Sequence, residues 1–178
     1  MFPYIIAIFA TIASLAIRPA TASEISAQTL FELTNQVRVS QGLPTLDFSD
    51  RLEKAALAKA EDMVETGYFD HFGPAGQTPW QFMEQANYHY DYGGENLAIG
   101  FTSSQEIIQA WLDSPTHRQN LLEPNYEDVG IAVLPALVDG LPDYLVVQMF
   151  GSLVKPNGEG ELTSYINDLL GVSDVIAE

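Results

Sequence analysis

The chain has 178 residues, with 24 acidic and seven basic side chains and a formal net charge of −17. This length suits one domain with terminal extensions, and a 47% share of hydrophobic residues is enough for a buried core. A surface with this much negative charge repels the phosphates of nucleic acids, so a nucleic-acid partner is not expected. The absence of cysteine excludes disulfides and thiol chemistry. The acidity is compatible with attraction of cations or basic partners, and equally with simple solubility outside the cell.

The first 23 residues differ from the rest and predict an export signal. An apolar run from Tyr4 to Ile17 is followed by Ala20 and Ala22, which fit the small-x-small pattern of a signal-peptidase site after Ala22 or Ser23. The run is shorter than the roughly 20 apolar residues of a membrane span. No basic residue precedes it, however, and Arg18 follows it. A retained membrane anchor is therefore the alternative, and membrane contact is expected only through this segment.

Three helices are predicted next from their caps and apolar spacing. They cover residues 27–41, residues 50–65 after a Ser49 cap, and residues 79–86 after a Thr78-Pro79-Trp80-Gln81 capping box. Gly42 and Gly67 stop the first two. The second helix turns a stripe of small and apolar residues inward: Leu52, Ala56, Ala60 and Met63.

The second half of the chain mixes strands and helices. A Ser103-x-x-Glu106 capping box opens a helix that Ser114-Pro115 closes, because a residue before proline disfavours helical dihedrals. The predicted elements, in chain order, are a strand over 96–101, a helix over 103–113, a helical turn over 117–122 and a hairpin of strands 128–134 and 144–150. Four helices and about three strands predict an α+β fold in which helices cover a sheet.

The composition changes again after Gly151. Residues 152–178 are predicted to be a linker followed by a weakly amphipathic stretch over 162–172 and a polar tail. That stretch either docks on the domain or a partner, or is disordered in solution. The expected organisation is therefore a leader or anchor over 1–23, one domain over 24–151 and a tail over 152–178.

Three short segments carry the residues with potential chemistry: FDHFGPAGQTPW with His71, GGENLAIG with Glu95, and WLDSPTHRQNLL with His117. A single histidine is more often a surface or core residue than a ligand. Two imidazoles and a carboxylate that converge would suit a divalent cation, because neutral imidazole is a good zinc ligand.

These segments, in this order, resemble the CAP superfamily of cysteine-rich secretory, antigen 5 and pathogenesis-related proteins. The similarity runs from Leu30 to Gly151 and includes LTNQVRVSQGLPTL, AEDMVETGYFDHFGPAGQTPW, IIQAWLDSPTHRQNLLEPNYEDVGIAV and VVQMFG. The chain is most similar to the cysteine-free bacterial branch, the SCP-like extracellular domains.

The resemblance implies a three-layer α-β-α sandwich with a central, mostly antiparallel sheet and a wide cleft. It implies that His71 and His117 bind a divalent cation, zinc in many members, with Glu95 beside them. The second family glutamate falls at Ser114 here, and Asp113 is the nearest acid. Two imidazoles leave water to complete the coordination, so the cation is expected to be weakly bound.

The role of each cleft residue has alternatives. Glu95 is expected to hold a histidine or a bound water from outside the coordination shell rather than to bind the cation. The structural alternative is that His71 and Glu95 only tie two loops together. Asn96 is expected to fix the GEN segment, and Asp113, Ser114 and Gln148 are further cleft candidates.

Two functions from different classes follow from the resemblance. The first is an exported module that binds an extracellular ligand or a cell-surface partner, with the cation organising the cleft. The second is a metal-dependent, peptidase-like hydrolase in which Glu95 is the general base. No G-x-S-x-G or H-E-x-x-H motif supports a further catalytic apparatus. A purely structural cell-surface domain is the third possibility.

Overall fold

A computed structural model describes residues 25–138 and 140–155. In these residues the chain forms five helices and four strands. In chain order they are α1 (Ala27–Ser40), β1 (Asp47–Phe48), α2 (Asp50–Thr66), α3 (Pro79–Gln85), β2 (Tyr90–Ile99), α4 (Ser104–Asp113), α5 (Pro115–Leu121), β3 (Asp128–Val138) and β4 (Leu141–Leu153). The sheet order is β1-β3-β4-β2, with β1 parallel to β3 and the other pairs antiparallel.

The helix boundaries follow from local chemistry, as the sequence predicted. The Ser49 side chain accepts a hydrogen bond from the backbone N–H of Leu52, and Gly67 ends α2 in the left-handed conformation at φ 74°. Thr78 and Gln81 form both bonds of the capping box at the start of α3. At α4 the Ser103 hydroxyl accepts from the backbone N–H of Glu106, and the Glu106 carboxylate accepts from the backbone N–H and the hydroxyl of Thr102.

The sheet is covered by helices on both faces. Neighbouring β2 residues separate the two cores: Leu97 packs with the cluster under α2 and α3, and Ala98 packs with the cluster under α1, α4 and α5. A fully buried side chain such as Leu52 contributes about 2 kcal/mol to stability through its burial. The predicted α+β fold, an α-β-α sandwich around a mostly antiparallel sheet, is confirmed.

Helix α2 lies directly against β3 at Gly130. A Cβ atom at this position would lie 2.0 Å from the backbone nitrogen of Glu53 and 2.1 Å from the carbonyl carbon of Leu52. Only glycine allows so close an approach of helix and strand backbones. Across the sheet, the buried Arg38 of α1 donates to the carbonyls of Leu121 and Glu123, which fixes the end of α5.

Several strand boundaries differ from the sequence predictions. Strand β2 begins at Tyr90 rather than Asn96 and ends at Ile99 rather than Phe101, because Gly93 and Gly94 pair with Gly151 and Phe150 of β4. This pairing supplies hydrogen-bond partners to the backbone of residues 90–95, although their amino-acid composition is typical of a turn. Strands β3 and β4 are also longer than predicted, and β4 continues to Leu153, into the expected linker.

Helix α5 begins at Pro115, two residues earlier than the turn predicted over 117–122. The expected leader or anchor over 1–23 and the amphipathic stretch over 162–172 lie outside the described residues. Within the described part of the chain, no helix has the length and apolar character needed to cross a membrane.

Candidate functional site

The candidate site is built around β2, which is an edge strand of the sheet. Three of its backbone carbonyls accept hydrogen bonds from side chains of α4, of α5 and of the loop after α5. Tyr126 donates to the carbonyl of Gly93 at 3.1 Å, Asn120 to that of Glu95 at 2.8 Å, and Trp111 to that of Leu97 at 3.0 Å. These bonds cover the edge and fix the strand that carries Glu95.

Glu95 and His71 form the closest polar contact of the site. Glu95 lies on the face of β2 that α2 and α3 cover, and the His71 loop follows α2. Nδ1 of His71 is 2.6 Å from Oε1 of Glu95, and the two side chains are 45% and 2% exposed. Oε2 of Glu95 is buried without a hydrogen-bond partner among the described residues, which is costly for a carboxylate oxygen.

This contact determines which imidazole nitrogen of His71 is free. With the carboxylate as acceptor, Nδ1–H donates, and the lone pair of Nε2 is left for a ligand. The hydrogen bond to Glu95 raises the pKa of His71, and burial opposes that effect. Burial raises the pKa of Glu95, and the hydrogen bond to His71 opposes it. The pair therefore has the histidine–carboxylate arrangement that orients metal-binding imidazoles.

His117 approaches from the other helical layer, on α5. Its carbonyl accepts a hydrogen bond from Nδ2 of Asn96 at 3.3 Å, and its side chain is half-buried. Burial lowers the pKa of His117, and the charge of a protonated His71 lowers it further. His71 and His117 thus contact neighbouring residues of β2 from opposite layers of the sandwich, His71 through Glu95 and His117 through Asn96.

A chain of amide side chains supports this end of α5. Asn120 donates to Oδ1 of Asn96 at 2.9 Å, and Gln148 donates to the hydroxyl of Thr34 at 2.9 Å. A longer contact of 3.5 Å joins Asn96 and Gln148. Gln148 is fully buried and turned toward α1, so it reaches the site only through Asn96. Asn96 lies in β2, in the part of the strand that was predicted, and its side chain holds the His117 backbone.

Asp113 and Ser114 have hydrogen-bond partners other than the histidine–glutamate pair. Asp113 is exposed and accepts a hydrogen bond from Gln109 on its own helix. The Ser114 hydroxyl contacts that of Thr116 at 3.3 Å. His89 is exposed and contacts Glu84 at 2.7 Å.

Sequence reasoning missed Lys59, which lies beside the site. It is fully buried on the inner face of α2, and Nζ donates to the carbonyl of His71 at 3.0 Å. Two features of the sequence point to it. Lys59 falls on the apolar stripe that includes Leu52 and Met63, and no base follows it until Arg118, although nine acids lie between.

The set of possible metal ligands at the site is small. No group of three or more His, Cys, Asp or Glu side chains within residues 25–138 and 140–155 has the arrangement of a metal site. His71 and His117 offer two imidazoles, and Glu95 is committed to orienting one of them. Such a donor set suits a weakly bound ion with water at its other positions.

The sequence profile of the CAP family, described as the cysteine-rich secretory protein family, matches residues 31–150. The chain belongs to the CAP family. The CAP domain is 40% identical to the protein YkwD of Bacillus subtilis over 100 residues, which are 56% of this chain and 39% of YkwD. It is 30% identical over 108 residues to the membrane protein YlbC of the same organism, covering 61% of this chain and 31% of YlbC. The chain thus spans less than two fifths of either relative.

Solved structures show the same CAP fold in bacterial proteins outside the cell. An outer surface protein of Borrelia burgdorferi is 26% identical with a TM-score of 0.65, covering 75% of this chain and 99% of that protein. An extracellular SCP-domain protein of Bacillus anthracis is 27% identical with a TM-score of 0.61, covering 70% of this chain and 39% of that chain. The predicted family and its cysteine-free bacterial branch are confirmed.

Proposed function

We propose that this CAP domain is an exported binding module whose cleft holds a divalent cation, zinc, between His71 and His117. The observation that carries the proposal is the 2.6 Å contact between Nδ1 of His71 and Glu95, because it frees Nε2 of a partly exposed ring. The contacts of His71 with Glu95 and of the His117 backbone with Asn96, which are neighbours on β2, support a shared ligand. The surface and extracellular relatives support export, with an extracellular ligand or a cell-surface partner as the target.

The geometry supports binding better than hydrolysis. A general base must reach the proton it removes, directly or through one water. Oε1 of Glu95 is occupied by His71, and Oε2, which has no partner among the described residues, is buried within a side chain that is 2% exposed. Glu95 is therefore better placed to orient His71 than to activate a water in the open cleft.

Calorimetric titration of zinc into the full chain tests the proposal. We expect binding by the wild type and loss of binding in His71→Ala and in His117→Ala. The matched control is His89→Ala, since this exposed histidine also contacts a glutamate but lies in another loop. Equal heats in all four proteins, or none in the wild type, would overturn the proposal.

A further inference from the structure

Lys59 occupies a position where an ammonium group is costly. Its side chain is fully buried on the face of α2 that packs against the sheet. Removing a charged amine from water is unfavourable unless the protein supplies hydrogen-bond acceptors and opposite charge. Because burying this ammonium group is costly, we expect Lys59 to have a role beyond filling space in the core.

The surroundings of Nζ supply those partners. It donates to the hydroxyl of Tyr68 and to the carbonyl of His71, both at 3.0 Å. It also lies 4.8 Å from the ring centre of Tyr68 and 5.5 Å from that of Phe82, within cation–π range. The Tyr68 hydroxyl in turn donates to the carboxylate of Asp62.

These contacts connect α2 to the backbone of the loop that carries His71. The nearby Glu95 carboxylate attracts the ammonium as well, and it is the group that holds the His71 ring. The loop residue is therefore fixed at two points: Lys59 holds its carbonyl, and Glu95 holds its imidazole.

We propose that Lys59 is a positioning residue for the cation site, which fixes the His71 backbone so that the ring stays on Glu95 with Nε2 free. The inference rests on the proposed function. Replacing Lys59 by a neutral residue has two opposed effects. Simple electrostatics predicts tighter zinc binding, because a positive charge near the cation is removed. The positioning role predicts weaker zinc binding, because the contact with the His71 backbone is lost.

Zinc titration of full-length Lys59→Met, Lys59→Arg and Lys54→Met separates these effects. We expect Lys59→Met to bind zinc about tenfold more weakly, as for loss of a partner outside the coordination shell. Lys59→Arg, which keeps donors for both oxygens, should bind more tightly than Lys59→Met. Lys54 is exposed on the same helix, so Lys54→Met should match the wild type. Unchanged or tighter binding by folded Lys59→Met would overturn the proposal.

Nitrogen-detected NMR of the histidine rings without metal adds a readout that does not depend on zinc. The wild type and Lys54→Met should show His71 as the single Nδ1–H tautomer, and Lys59→Met should show a mixture. If Lys59→Met does not fold, Tyr68→Phe, which removes one acceptor of the ammonium, should show the same change in weaker form. Wild-type spectra in the folded variants would contradict the positioning role. If the wild type binds no zinc, the proposed function fails, and these spectra still decide the role of Lys59.

Discussion

His71 and Glu95 are joined by their side chains across the edge of the sheet, with Nδ1 of the imidazole 2.6 Å from Oε1 of an almost fully buried carboxylate. The partners are 24 residues apart and come from a loop and a strand. Their contact fixes the ring orientation of His71 and leaves its second nitrogen for a ligand. The proposed cation site depends on this contact between His71 and Glu95.

Replacing Glu95 by glutamine should weaken zinc binding about tenfold, because the amide is a poorer acceptor for Nδ1–H and no longer fixes the tautomer. Calorimetric titration measures the change. Glu84→Gln is the matched control, since Glu84 contacts His89 at 2.7 Å on the exposed surface. Equal affinities in the two variants would mean that Glu95 does not orient a ligand.

The stability supplied by His71 should depend on pH. The hydrogen bond with Glu95 raises the folded-state pKa of His71. A raised pKa gives stability that is fully present below the unfolded pKa, about 6.5, and is lost as pH rises through the folded value. With Glu95 ionised, the difference in unfolding free energy between wild type and His71→Ala should shrink from mildly acidic to alkaline solution. Urea denaturation over this range measures it, and a difference that grows with pH would have the wrong sign.

Zinc affinity should change in the opposite direction with pH. Zinc binds neutral imidazole, so its affinity should fall as His71 becomes protonated. The pKa of His117 is lowered by burial, so His117 remains neutral to lower pH than His71 does. Calorimetric titrations at several pH values should therefore follow the pKa of His71 measured by NMR. Affinity that is constant through that pKa would exclude His71 as a ligand.

Asn120→Ala should destabilise the domain by about 2 kcal/mol, because it leaves the Glu95 carbonyl and the Asn96 side-chain oxygen without their donor. Denaturant unfolding measures the loss. Asn125 is exposed and contacts only nearby Glu123 in the described structure. Asn125→Ala should change stability by less than about 0.5 kcal/mol. A similar effect of both substitutions would show that the capped edge strand is not the cause.

Gly130→Ala should cost about 3 kcal/mol, because the new Cβ meets the backbone of α2, which has no side-chain freedom to yield. Gly140→Ala is a useful comparison. Gly140 has φ 79°, but a Cβ atom added there would have nothing within 4 Å, so only left-handed strain of about 1 kcal/mol is expected. Urea denaturation compares the two, and a smaller loss at Gly130 would contradict the close packing of α2 on β3.

The features that the sequence predicted correctly depend on local chemistry. The Ser49 cap, the stop at Gly67 and the box at Thr78 each involve residues within four positions of each other, so the pattern of residue types is enough. The family motifs likewise identified His71, Glu95 and His117 as the residues to examine. That His71 and His117 both contact β2 could not be predicted from local sequence patterns, because the contacts join residues more than 20 positions apart.

The features that were missed depend on partners distant in sequence. Strand β2 begins at Tyr90 because Gly93 and Gly94 pair with β4 more than 50 residues later. The Gln148 amide donates to Thr34, 114 residues away, a partner that no local pattern identifies. The burial of Lys59 depends on hydrogen bonds from its ammonium to the Tyr68 hydroxyl and the His71 carbonyl, whereas residue type alone predicts a solvated lysine.

The most direct test of the proposed cation site is a crystal structure of the zinc-soaked protein with anomalous data at the zinc edge. The account predicts one anomalous peak at about 2.0–2.1 Å from Nε2 of His71 and from a ring nitrogen of His117. Glu95 should remain on Nδ1 of His71 and outside the coordination shell. A peak at any other place, or none at a zinc concentration that saturates calorimetric binding, would contradict the central claim.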